Sequence, residues 1–267
     1  MNKNKLSSAI LQFISKKSSH AAYYEENWAE RKERKEYYQS FTKDKFIAMT
    51  EEEFLEYISK LWSMLIWGNK KYVVDKLIAD NDFATLKKQL AELLYGTSPI
   101  EKRWDMFLKS IKGMGPATIS ELLTYANPQE YVIFNKTTIL CYGYLDIPDM
   151  PKYNYQYTGK KYSEVCFIAK EIAKELKKAG ADDYDLLAVD YFMWDEILPI
   201  AEKKTSEIPV TTEIKKPVTI KAAAKTYKAT AKTKKYTVSL STILGSSCDG
   251  KTYFGAGKKV TMKINGK

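Results

Sequence analysis

Apolar residues recur every three or four positions through most of this 267-residue chain. Between Glu51 and Glu202 they form successive stripes, the pattern by which one face of an α-helix meets a core. The first stripe follows Thr50, with Glu53 three residues later, which predicts a capping box, and it ends at Gly68. The pattern predicts a mainly α body, a bundle of about eight helices.

The first 50 residues are predicted to be a helical extension of this body. Leu6, Ile10 and Phe13 have the spacing of a short amphipathic helix, and polar residues interrupt the apolar run that an export signal would need. Residues 20–45 mix charged and aromatic side chains and predict a solvated helix. No apolar run is long enough to cross a membrane, so we expect no membrane span. Because the N-terminus lacks a convincing export signal, we expect a cytoplasmic location.

The periodicity changes after residue 202. Residues 203–234 are rich in Lys, Thr and Pro and predict a linker, whereas within residues 235–267 the stretches 236–240 and 260–264 alternate apolar and polar positions, which predicts β-strands. The hairpin-turn signal Asn265-Gly266 has no return strand after it, so this β segment is predicted to be incomplete. Four parts are therefore expected: an extension (1–50), a helical domain (51–202), a linker (203–234) and a partial Ig-like β module (235–267).

The positive charge of the chain lies in its C-terminal part. The net charge is +10, but residues 1–202 hold 28 Lys and Arg against 30 Asp and Glu, and residues 203–267 hold 15 Lys against 3 acids. The overall charge therefore gives no argument that the helical body binds nucleic acid, and only a local patch could do so. In the tail the lysines alternate with strand positions, which favours a solvated β surface over a polycationic arm.

Few residues could supply metal-site or nucleophilic chemistry. The chain has one histidine, His20, and three cysteines, too few for a disulfide framework, which indicates a reducing compartment. Asp190, Asp195 and Glu196 lie in an acidic segment that predicts a solvated helix rather than a metal site. No phosphate-loop motif of nucleotide-binding proteins is present. We therefore expect neither a metal nor a cofactor.

The most informative motif lies at residues 111–119. Its sequence, Ile-Lys-Gly-Met-Gly-Pro-Ala-Thr-Ile, joins two helical stripes through a Gly-x-Gly turn. Glycines allow a tight turn close to a phosphate, and the first amides of the next helix carry the positive end of its dipole. Such contacts hold the DNA backbone and read no bases. The predicted contacts are Lys112, Gly113, Met114, Gly115, Ala117 and Thr118; the alternative is a turn that only reverses the chain.

Over roughly residues 100–147, this motif and the following stretch Pro-Gln-Glu-Tyr-Val-Ile-Phe-Asn-Lys (128–136) resemble the helix-hairpin-helix DNA glycosylase superfamily. In that family the extended stretch ends in a catalytic aspartate, and lyase members carry a lysine two residues after the second hairpin glycine. The matching positions here are Asn135 and Ala117, which can supply neither the carboxylate nor the Schiff base. The resemblance implies a non-catalytic DNA-binding element in which Asn135 and Lys136 also contact DNA. Asn135 is equally suited to cap a helix.

A longer stretch, from about Trp104 to Trp194, is similar to the N-terminal domain of McrB-like AAA+ restriction proteins. Its marks are IKGMGPATISELL, PQEYVIFNK, the loop YNYQYTGKKY and VDYFMW. The resemblance implies contact with double-stranded DNA, modified or plain, in a restriction or defence system, with a separate AAA+ ATPase or nuclease as partner. In the loop, bases would stack on Tyr153, Tyr155 and Tyr157, and phosphates would meet Lys160 and Lys161. The alternative is a tyrosine-rich loop packed on the body.

Residues 218–267 resemble the Ig-like repeats of adhesin-like surface proteins of methanogenic archaea. The resemblance rests on the alternating strands 236–240 and 257–267 and implies structural display at the cell surface. A DNA-binding body implies the inside of the cell instead. Three hypotheses remain open at this point: a non-catalytic DNA-binding module, an adhesin-like surface or interaction protein, and a divergent DNA glycosylase that uses an unrecognised residue.

Overall fold

Twelve α-helices follow one another in the computed structural model over the residues that it describes, 1–181 and 184–207, with the backbone alone for Asn154 and residues 204–207. This part of the chain contains no strand, which confirms the predicted all-α body. The helices are α1 (Lys3–Ser19), α2 (Ala21–Gln39), α3 (Lys43–Ala48), α4 (Glu51–Ser59), α5 (Lys70–Asn81), α6 (Phe83–Tyr95), α7 (Ile100–Ser110), α8 (Pro116–Ala126), α9 (Lys136–Tyr144), α10 (Gly159–Lys178), α11 (Leu186–Phe192) and α12 (Leu198–Glu207).

The N-terminal extension is part of the same packed body. Helix α2 lies against α8, and it buries Tyr24, Trp28, Arg31 and Tyr38. The prediction of a solvated helix was wrong for this segment, because large side chains at helical spacing lie among its many charges. Tyr38 stacks on Tyr125 of α8, with ring centroids 4.9 Å apart, and this contact joins the extension to the centre of the fold.

The helix that opens at Thr50 ends well before Gly68. The predicted capping box is confirmed: the Glu53 amide donates to the Thr50 hydroxyl at 3.2 Å, and the Thr50 amide donates to the Glu53 carboxylate at 2.8 Å. A single 3₁₀ turn follows α4 at residues 62–64, and Leu65, Ile66 and Trp67 are then exposed. The apolar pattern continues through this segment, but the amides of its turn bind a carboxylate of α8, as described below.

The core between α7, α8 and α10 is built on aromatic rings. Trp104 of α7 stacks on Tyr162 of α10 with 4.0 Å between centroids, and both side chains are fully buried. The two helices approach each other closely at Gly159, the first residue of α10, where an added Cβ would overlap the backbone of Glu101. Only glycine allows this approach.

The C-terminal helices differ from the prediction in two respects. Asp190 and Asp195 are buried rather than solvated, and a π-helical turn spans Met193–Ile197. Helix α12 continues to Glu207, so the first residues of the expected linker are helical. The rest of the linker and the expected Ig-like module at 235–267 lie outside the described residues. Among the helices described, none is long and apolar enough to cross a membrane.

Candidate nucleic-acid interface

The connection between α7 and α8, residues 111–115, is a sharp turn fixed by its sequence and by α5. Gly113 has a φ of 87°, in the left-handed region that favours glycine. The Asn81 side chain at the end of α5 accepts from the Lys112 amide at 2.7 Å and donates to the Lys112 carbonyl at 2.9 Å. The buried side chain of Met114 anchors the turn in the core, so of this predicted contact only the backbone can face a ligand.

The N-terminus of α8 is open. Gly115 precedes the helix with extended backbone and provides no side-chain cap, and an added Cβ there would meet nothing within 4 Å. Pro116 has no amide hydrogen, and the amides of Ala117 and Thr118 have no acceptor among the described residues. Two amide donors at the positive end of the helix dipole therefore lie beside an exposed glycine, an arrangement that suits an anion.

Asn135 lies close to this helix end. The Phe134 amide donates to the Ser120 hydroxyl at 2.8 Å, and that hydroxyl donates to the Ala117 carbonyl at 3.1 Å. These bonds join the first turn of α8 to the residue before Asn135. Asn135 itself caps α9, since its side chain accepts from the Thr138 amide at 3.2 Å. The helix-capping role that the sequence allowed for Asn135 is confirmed.

Replacing Asn135 tests its capping role. We expect Asn135→Ala to lower the free energy of unfolding by about 1 kcal/mol, the usual effect of losing an N-cap, and Asn135→Asp to restore it. Thermal unfolding followed by circular dichroism measures both variants. A stable Asn135→Ala protein would show that the cap contributes nothing.

The lysines singled out in the sequence differ in their surroundings. Lys112, Lys136 and Lys160 are exposed, and their ammonium groups have no partner among the described residues. Lys161 instead forms an ion pair with Glu164. The segments 106–120 and 131–145 contain three lysines and no acid, so these two segments are locally basic in a body of nearly balanced charge.

The three tyrosines of the loop before α10 have two different roles. Tyr153 and Tyr155 are 61% and 76% exposed, and their rings stack with centroids 5.7 Å apart. Tyr157 is half-buried: its ring packs on Phe134 at 4.9 Å, and its carbonyl accepts from the Trp104 indole at 2.8 Å. Tyr157 thus fixes the loop to the body, while the other two rings face solvent.

A buried polar cluster between α2, α8 and α11 was missed by sequence reasoning. Glu121 is 2% exposed, and its carboxylate accepts from the amides of Trp62 and Ser63 at 2.6 and 2.9 Å. Arg31 lies over the rings of Trp62 and Tyr191, and its charge also acts on the buried Asp190. No motif signals this cluster, because its members come from distant segments and each lies in an ordinary helical pattern.

Burial dominates the ionisation of these groups. It raises the pKa of Glu121 to about 7, although the two amide hydrogen bonds act in the opposite direction, and it raises the pKa of Asp190 to about 6, against the charge of Arg31. Burial also raises the pKa of the Cys166 thiol to about 11 and that of Cys141 further, so neither is set up as a nucleophile. Within the described residues, no three His, Cys, Asp or Glu side chains form a group that could hold a metal ion.

Comparison of the chain with models of protein families, with curated proteins and with solved structures found no match. The resemblances to helix-hairpin-helix glycosylases, to McrB-like N-terminal domains and to archaeal adhesin repeats therefore stay predictions. The open end of α8 and the groups around it are the features of the described residues that suit a ligand.

Proposed function

We propose that this protein binds double-stranded DNA without catalysing a reaction on it, through the phosphate backbone at the N-terminus of α8. The observation that carries the proposal is the pair of amides at Ala117 and Thr118, which lack acceptors and lie behind the exposed Gly115. A phosphate oxygen is an acceptor of the right charge for this position. Lys112 and Lys136 add mobile cations at the two neighbouring segments.

We propose no catalytic role for this interface because of the residues at the positions where a catalytic group would be needed. Asn135 caps α9 and carries an amide rather than a carboxylate, and Ala117 has no amine. The buried Glu121 accepts from backbone amides of the turn at residues 62–64, and the charge of Arg31 in α2 acts on the buried Asp190. These positions support a binding role for the interface, since backbone contacts position a protein on DNA without acting on it.

Charge at residue 115 provides the sharpest test. Gly115→Asp should fit, because an added Cβ at residue 115 meets nothing within 4 Å. The aspartate carboxylate would accept hydrogen bonds from the same α8 amides that a phosphate would use. We expect Gly115→Asp combined with Lys112→Glu to lower DNA affinity at least about tenfold in a protein that stays folded, a loss of about 1.4 kcal/mol. Fluorescence anisotropy with a labelled duplex at several salt concentrations measures it.

Two controls separate this effect from a general change of charge. Gly115→Asn caps the helix without charge, and Lys32→Glu changes the charge at an exposed lysine of α2 by two units, as Lys112→Glu does, against three units for the double variant. We expect Lys32→Glu to leave the affinity within about twofold, because phosphate contacts act locally. If the double variant binds like the unchanged protein, the α7–α8 connection only reverses the chain.

The proposal extends to the kind of DNA that the protein recognises and to its partner. A role in recognising modified DNA for a restriction or defence system, with an AAA+ ATPase or nuclease as partner, requires that the protein discriminate between duplexes, which backbone contacts at α8 alone do not do. Methylated and unmethylated duplexes in the same anisotropy assay test this point. Equal affinities for the two duplexes would contradict the recognition of a modification and would be compatible with the backbone contact.

A further inference from the structure

The paired rings of Tyr153 and Tyr155 are unusual for a solvent-exposed loop. The rings are nearly parallel, with 6° between their planes, and more than half of each side chain is exposed. Each ring covers part of the other, and their remaining faces have no ring partner among the described residues. A flat aromatic face of this kind is the surface on which nucleobases stack.

The loop that carries these rings is held in place at both ends. The Gln156 side chain accepts from the amides of Lys152 and Tyr153 at 2.7 and 3.0 Å, which fixes the turn on which the rings stand. Tyr157 is bound by Trp104 and Phe134, as described above. The rings are therefore presented by an ordered loop, and less conformational entropy is lost when a ligand binds.

Contacts lead from this loop to the interface at α8. Tyr157 packs on Phe134, whose amide binds Ser120, and Ser120 in turn binds the carbonyl of Ala117 in the first turn of α8. Tyr157, at the end of the loop that carries the rings, and the first turn of α8 are thus joined by one short chain of contacts.

The charge around the rings fits a nucleic acid. Residues 150–163 contain Lys152, Lys160 and Lys161 and no acidic residue. The ammonium groups of Lys152 and Lys160 have no partner among the described residues, whereas Lys161 pairs with Glu164. Cations beside an aromatic face are the combination by which proteins hold single strands, since the cations meet phosphates while the rings meet bases.

We propose that Tyr153 and Tyr155 form a stacking platform for an unpaired base, so that the preferred ligand is duplex DNA with an adjoining single-stranded segment. This inference rests on the proposed function, because the α8 interface holds the duplex beside the platform. Bases within a duplex are stacked on each other and leave no face for the rings, so the platform adds affinity only where a strand is unpaired.

The test compares two ligands on the full chain. One is a blunt labelled duplex and the other is the same duplex with a short thymine overhang, both titrated by fluorescence anisotropy. Because a base that stacks on an aromatic ring gains affinity, we expect the overhang ligand to bind about tenfold more tightly, a difference of about 1.4 kcal/mol. The ratio of the two affinities is the readout, because the lysine-rich tail raises both.

Matched variants assign the preference to the rings. Tyr153→Ala with Tyr155→Ala should bring the ratio to about one, and Tyr153→Phe with Tyr155→Phe should keep it, since phenylalanine stacks equally well. Phe167→Ala removes a ring of similar exposure, 65%, from α10 and should change nothing. A ratio that survives the double alanine variant, or that Phe167→Ala abolishes equally, overturns the platform.

The outcomes separate the two proposals. If Gly115→Asp with Lys112→Glu abolishes binding of both ligands but the unchanged protein binds them equally, the backbone contact stands and the platform is wrong. If the overhang preference depends on the tyrosines but the α8 variant binds normally, the platform stands and the contact at α8 is wrong. If neither set of variants changes binding, both proposals fail.

Discussion

Glu121 alone should lower the free energy of unfolding by about 3 kcal/mol as the pH rises from about 4.5 to about 7, because the unfolded chain loses the Glu121 proton in this range while the folded protein keeps it. Its pKa moves from 4.5 to about 7 on folding, chiefly through burial. Below this window the carboxyl is protonated in both the folded and unfolded states. Within it the folded state alone holds the proton, so each rise in pH favours unfolding until the folded group ionises as well.

Other groups act in the same direction over this range. Burial also raises the pKa of Asp190, from 3.8 to about 6, and that of Glu196. Arg31 and Arg34 of α2 provide the positive charges near this cluster, and Tyr38 and Tyr125 face Glu121 with hydroxyls that stay protonated. The acids with lowered pKa, such as Glu171 beside Lys174, complete their titration at lower pH.

Denaturant unfolding at a series of pH values measures the effect, and Glu121→Gln identifies its source. The glutamine cannot ionise, so the pH dependence between about 4.5 and 7 should lose about 3 kcal/mol of its range. Glu171→Gln is the control, since removing a carboxylate with a lowered pKa should leave this range unchanged. A Glu121→Gln protein with the original profile would place the effect on another group.

Replacing Gly159 by alanine should lower the free energy of unfolding by about 3 kcal/mol, at the upper end of the effects of overpacking. The added methyl group would overlap the backbone of Glu101, and backbone atoms cannot turn aside as a side chain can. Separating α10 from α7 would also strain the hydrogen bond of 2.7 Å from the Gly159 amide to Asp105. Chemical denaturation measures the loss.

Gly143→Ala is the matched control for this substitution. Gly143 lies exposed within α9, and an added Cβ there meets nothing within 4 Å. Alanine should therefore stabilise the protein by about 0.5–1 kcal/mol, the difference in helix preference. Equal effects at the two glycines would contradict the close approach of α7 and α10. Because Trp104 of α7 also holds Tyr157, Gly159→Ala should weaken the overhang preference as well.

Local signals in the sequence located most helices because those signals act over a few residues. The capping box at Thr50, the start of α7 after Pro99 and the turn at Gly113 each depend on neighbours in the chain. The same holds for Asn135, whose side chain caps α9 three residues away. Apolar periodicity and helix-end signals are enough to predict a helix wherever its backbone groups bond to residues nearby in the sequence.

Tertiary contacts explain the segments whose structure differs from the prediction made from the sequence. The apolar pattern after Ser59 continues as in a helix, but Glu121 binds the amides of Trp62 and Ser63, and the chain turns. A carboxylate from a segment about 60 residues away leaves no mark on the local pattern. The same limit applies to α2, whose partner surface on α8 is formed by residues far along the sequence.

The sequence by itself determined that the body is helical, where the glycines turn the chain and that its charge is concentrated after residue 202, because each depends on residue type and spacing alone. Only the tertiary structure decided that Tyr157 supports the loop while Tyr153 and Tyr155 face solvent, and that Glu121, Arg31 and Asp190 are buried together. These properties arise from desolvation and packing between distant segments, which come together only when the chain folds.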